Sequence, residues 1–286
     1  MINALNYLLS AFVLTLNILL TLFLPIIVIC LLLNVIADEQ NKRLYQIAGW
    51  PGLMMTAWIG TPVHELSHAF AVLITGQKLV EVKLFAPDSR TGALGYVVHR
   101  CKNDNLFHAI IGNTIVPIAP FFGGAAVIYL ISILLLPDFS LYGADVPRVH
   151  YLTTKTMFEW KNYLLFSQSI KEFYQYLLTV LANPALWSDW KFYVGVFLLF
   201  GIASHLSPSY SDFQNMWQPL GALILVMTLL NVFILPLVRN YMDGIRAFAD
   251  RVLLIMPILL LALLVSIVGL IVIYGLFIII MPFRRS

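Results

Sequence analysis

Residues 57–74 read Ala57-Trp58-Ile59-Gly60-Thr61-Pro62-Val63-His64-Glu65-Leu66-Ser67-His68-Ala69-Phe70-Ala71-Val72-Leu73-Ile74. They form the centre of an apolar run, Ile47–Gly76, whose one charged side chain is Glu65. A run of this length can cross a bilayer. A carboxylate at that depth costs a few kcal/mol, about 3, and so marks a function by default. The surrounding composition agrees. Hydrophobic residues make up 60% of the 286-residue chain and charged residues 11%, against about 45–50% and about 25% in soluble domains. Too few charges remain to cover a soluble surface. The net charge of +3 is too small for a nucleic-acid partner. Cys30, in an apolar run, and Cys101, in a polar loop, form no disulfide framework.

Nearly all the charges fall at 38–43, 78–104, 138–191, 239–251 and 284–285. Two acids lie outside these clusters, Glu65 and Asp212. The intervals predict an all-α polytopic membrane protein of about six transmembrane helices, a single membrane-embedded domain over 1–286. Its first span covers 8–36, with no basic segment before it. Ile47–Gly76 and Leu106–Leu136 follow. Phe192–Val238 is long enough for two spans joined at Ser207-Pro208-Ser209-Tyr210-Ser211, and Val252–Phe283 is the last. Residues 80–99 alternate as strand, turn and strand, which predicts a small β-hairpin after the second span. The loop 138–191 sets aromatic and aliphatic residues among Lys161, Lys171 and Glu172. It reads as an interfacial amphipathic helix or as a small subdomain packed over the spans. The basic hairpin places itself and both termini in the cytoplasm, and the chain in the cell membrane.

His64 and His68 stand four apart, so a helix puts both imidazoles on one face. Glu65 beside them can take a proton from a metal-activated water, the chemistry of H-E-x-x-H. The same residues also fit a core His pair with a salt-bridged Glu. A zinc site needs a third protein ligand. Phe192–Ser207 spans only about 24 Å as a helix, short of the ~30 Å core. Its turn should therefore sit inside the membrane and bring Asp212 toward the His pair. Asp212 can alternatively cap the fifth span.

His64-Glu65-Leu66-Ser67-His68-Ala69 followed by Gly76 resembles the H-E-x-x-H-A-x6-G signature of the site-2 protease family (peptidase family M50). The resemblance covers 47–136 and 192–238, the presumed catalytic core, and leaves 138–191 as an extramembrane or interfacial loop. It implies an intramembrane zinc metalloprotease acting on membrane-protein substrates, with Zn²⁺ on His64, His68 and Asp212 and with Glu65 catalytic. The family's N-x-x-P-x-x-x-L-D-G motif is absent in strict form. His205-Leu206-Ser207-Pro208-Ser209-Tyr210-Ser211-Asp212 resembles an H-x-S-P-S-x-x-D variant. Asp243, in Met242-Asp243-Gly244, is a rival third ligand that the six-span topology places on the far side. His205 is a further ligand or a group satisfying its own turn. Asn113 is a substrate or outer-shell contact, or an interhelical packing bond. The competing functional class is a non-catalytic M50-like scaffold or a transporter with a structural metal. No internal repeat favours a transporter.

Overall fold

The computed structural model describes residues 2–100, 106–143, 145–147, 149, 160–206, 210–234, 244 and 251–284. Within these, the side chains of 2–3, 21–22, 106–110, 160–162, 210–220, 223, 253 and 283–284 fall outside the description. The chain is mostly helical: α1 (Ile2–Ala48), α2 (Trp50–Ile74), α3 (Leu106–Leu135), α4 (Trp160–Leu181), α5 (Pro184–Ser188), α6 (Trp190–Ala203), α7 (Tyr210–Ile234) and α8 (Met256–Arg284). Between α2 and α3 lies an antiparallel pair, β1 (Lys78–Lys83) and β2 (Tyr96–Arg100).

Three helices are long and apolar enough to cross a membrane: Phe23–Ala48 of α1, Ile111–Leu135 of α3 and Met256–Pro282 of α8. The membrane class follows from these, but six spans do not. Helix α2 has the length, at 25 residues, but its pentad and its Thr and Gly residues dilute its hydropathy. Helix α6 is apolar but only 14 residues long. Over α7 the described apolar run is Ile224–Ile234.

The first helix differs from expectation in a second way. It continues as one helix through 38–43, where the charges suggested a loop. Three of these charges, Glu39, Lys42 and Arg43, pair with one another beside α8. Arg43 donates to Glu39 at 2.7 Å across one turn, Tyr274 donates to the same carboxylate, and Arg43 lies 4.7 Å above the rings of Tyr274 and Phe277. Gln40 donates to the Ser266 carbonyl at 2.7 Å. Ile18 meets Val252 in a small cluster, while Arg43 meets Tyr274, so α1 and α8 run parallel. Both termini on the hairpin's side would require these helices to run antiparallel.

Helices α2, α3 and α6 meet through small residues. A Cβ at Gly123 of α3 would run into Ser67, and one at Gly124 into Leu206. The hairpin expected over 80–99 is present, with Lys78 opposite Arg100, Lys83 opposite Tyr96, and a bulge between Leu79 and Glu81. Its inward Leu79 and Val97 pack on Ala71, Val72, Val116 and Ala119, which seats it on the α2–α3 end. Helix α4 occupies the loop 138–191, and its Phe173 and Leu177 are fully buried in the main core. That is the packed alternative of the two readings of this loop.

Candidate metal centre

Gly49, at φ 65°, ends α1, and Pro51 opens α2 where no backbone N–H is needed. The α2 helix then stacks His64 over His68, with ring centroids 4.8 Å apart. His64 Nδ1 donates to the His205 carbonyl at 2.8 Å, and His68 Nδ1 donates to the Val116 carbonyl at 2.8 Å. A carbonyl can only accept, so each ring carries a proton on Nδ1 and turns its Nε2 toward the other ring. The two Nε2 atoms face each other at 3.2 Å. In tetrahedral zinc, with Zn–N of about 2.0–2.1 Å, two nitrogen ligands stand about 3.3 Å apart. The His pair therefore has the ring orientation and the spacing of two zinc ligands. Carbonyl partners on the far nitrogens also match the outer contacts that orient such ligands.

The His205 carbonyl reaches this depth because α6 is short and close. Its 14 residues rise about 21 Å, and it ends level with the pentad. Gly60 makes the approach possible: a Cβ there would run into the Gly201 carbonyl and the His205 ring. His205 contributes its main chain as well as its ring: Nδ1 donates to the Gly201 carbonyl of its own helix at 3.1 Å, and the main-chain oxygen accepts from His64.

Helix α7 begins five residues after His205 and carries Asp212 in its first turn. The Asp212 side chain, the connecting residues 207–209 and Asp243 all lie outside the described residues. Among the described residues no third His, Cys, Asp or Glu joins His64 and His68.

Glu65 is 9% exposed. A Cβ on Gly95, just before β2, would come within 2.8 Å of its Cγ, so the hairpin closes over Glu65. Asn113 does not reach the His pair. Its Oδ1 accepts from Gln77 Nε2 at 3.3 Å, under the hairpin and one turn before Val116. Sequence reasoning missed Val116, Gln77 and Gly95. A carbonyl leaves no mark in sequence, and the close approach at Gly95 exists only after the hairpin folds back. It also missed His99, half-buried on the inward side of β2 beside Val97. The strand alternation could have placed it there. Burial pushes the His99 imidazole pKa below its ordinary value, and the charge of His68 adds to the shift.

The chain matches no known protein family, no curated protein and no solved structure. What the site can do therefore rests on its own geometry. Two imidazole Nε2 atoms meet at 3.2 Å, with the mostly buried Glu65 next to His64 in the chain. That separation fits two nitrogen ligands of one cation.

Proposed function

We propose that this chain is an intramembrane zinc metalloprotease of the site-2 protease (M50-like) kind, cutting membrane-protein substrates in the cell membrane with the hairpin on the cytoplasmic side. The observation that carries the reading is the pair of Nε2 atoms 3.2 Å apart, each ring oriented by a carbonyl on its other nitrogen. His64 and His68 would hold the ion, with Asp212 as the third ligand. Bound zinc would supply Lewis acidity, acidifying a water and polarising the scissile carbonyl. Glu65 takes the proton released by that water as it attacks, then gives it to the departing amine. The Gly95 segment packs against Glu65, whose low exposure strengthens electrostatic interactions there.

The test is zinc stoichiometry together with cleavage of a reconstituted transmembrane peptide. Glu65→Gln should keep zinc and lose about 100-fold or more in kcat. Asp212→Ala should lose zinc while Asp243→Ala keeps it. A wild-type protein that purifies without a transition metal would sink the reading.

A further inference from the structure

We infer that the groove between α1, α3 and the start of α8 binds one anionic phospholipid, with an acyl chain along its apolar walls and the phosphate on Arg251. The groove has a volume of about 480 Å³, within the range of ligand pockets. Its walls include Phe23 of α1, Ile118, Phe122 and Ala126 of α3, and Ile258 of α8. Tyr142 lines it as well and is held in place twice. Its hydroxyl donates to the Leu254 carbonyl, and its ring meets that of Tyr129 edge-on at 5.4 Å. None of the residues lining the groove belongs to the pentad, so this site is separate from the His pair.

Arg251 is the one charged residue lining the groove. It is exposed and has no hydrogen bond or ion pair among the described residues. It is also the last charge before Val252–Phe283, a run that carries none. A cation at the edge of such a run belongs at the depth of lipid headgroups, where a long side chain can reach the interface. An apolar cleft bordered by a single cation fits an amphiphile with an anionic head. Arginine pairs with phosphate through charge-assisted hydrogen bonds, and basic pockets between transmembrane helices bind anionic headgroups. A free inorganic anion would gain from Arg251 alone and leave the apolar walls uncovered. A transmembrane peptide is too wide, since a helix about 10 Å across fills 480 Å³ within about one turn. An acyl chain is narrow enough to lie along these walls.

The experiment uses the full chain in liposomes containing phosphatidylglycerol with a photoactivatable diazirine on its acyl chain, and maps the cross-links by mass spectrometry. Labelling should saturate at Ile118–Ala126 and Val252–Ile258. Unlabelled phosphatidylglycerol should displace it about fivefold more effectively than phosphatidylcholine, the preference expected of one cation at the headgroup. Arg251→Gln should remove that preference, while Arg90→Gln, on the exposed hairpin loop, should keep it. Ala126→Phe puts a ring into the groove from an exposed position and should abolish the saturable label. If Ala126→Phe unfolds early, the comparison of Arg251→Gln with Arg90→Gln decides alone. Labelling that never saturates, equal displacement by the two lipids, or a preference that survives Arg251→Gln overturns the site. So does displacement of the label by a transmembrane peptide, since the occupant would then be a protein segment.

Discussion

Two polar clusters sit among apolar helices in this protein, and they differ in what their polar atoms face. Between α1 and α8, Glu39, Arg43 and Tyr274 satisfy one another: phenol and guanidinium both donate to the carboxylate, and the cation rests on Tyr274 and Phe277. Between α2, α3 and α6, the two rings give their Nδ1 donors to carbonyls and bring their Nε2 atoms within 3.2 Å of each other. A charged residue in an apolar helix is a functional candidate by default. The contrast refines that rule. A carboxylate held by a phenol and a guanidinium is a staple, while two imidazole nitrogens at the spacing of ligands on one cation are a candidate site.

Substitution in the two clusters should have opposite consequences. The largest effect is expected at the His pair: His64→Ala or His68→Ala should weaken zinc binding by about 100-fold or more and abolish cleavage, as read by metal stoichiometry and peptide hydrolysis. At the staple, Arg43→Leu should lower the thermal unfolding temperature by separating α1 from α8, with zinc content and cleavage per bound zinc unchanged. If Arg43→Leu cost metal, or His64→Ala cost stability without costing metal, the distinction between staple and site would fail.

The smallest expected effect concerns the hairpin over the site. The native pKa of His99 lies below its ordinary 6.5, through burial and then the charge of His68. The undocked hairpin therefore binds a proton more readily than the docked one. Docking keeps its full contribution above the ordinary value and loses it as pH falls toward the lower native value. Protection factors of the β1 and β2 amides, with the intrinsic exchange rate divided out, should fall on acidification through that window, and His99→Asn should flatten the dependence. Protection factors unchanged from pH 7 to 5 in the wild type would remove His99 from the docked face.

The sequence was legible wherever a short-range rule applied. The i, i+4 spacing put His64 and His68 on one face, alternation placed the hairpin, and the shortness of the fourth apolar segment anticipated that α6 would stop level with the pentad. It was less legible where long-range partners decide. The charges at 38–43 read as a loop because Tyr274 and Phe277, some 230 positions away, could not be seen to receive them. Asn113 reads as a site residue because a polar side chain in an apolar run attracts that reading, and the Gln77 amide that its Oδ1 accepts from is a partner only the fold supplies.

By itself, then, the sequence determined the membrane class, the pentad and the face it occupies, since these follow from composition and helical period. Only the tertiary structure decided which nitrogen of each imidazole faces the other ring. That choice is made by the carbonyls of Val116 and His205, 48 and 141 residues from their partners. Main-chain oxygens are the same for every residue type, so no sequence pattern can announce them. Packing through Gly60 brings the second of them to His64.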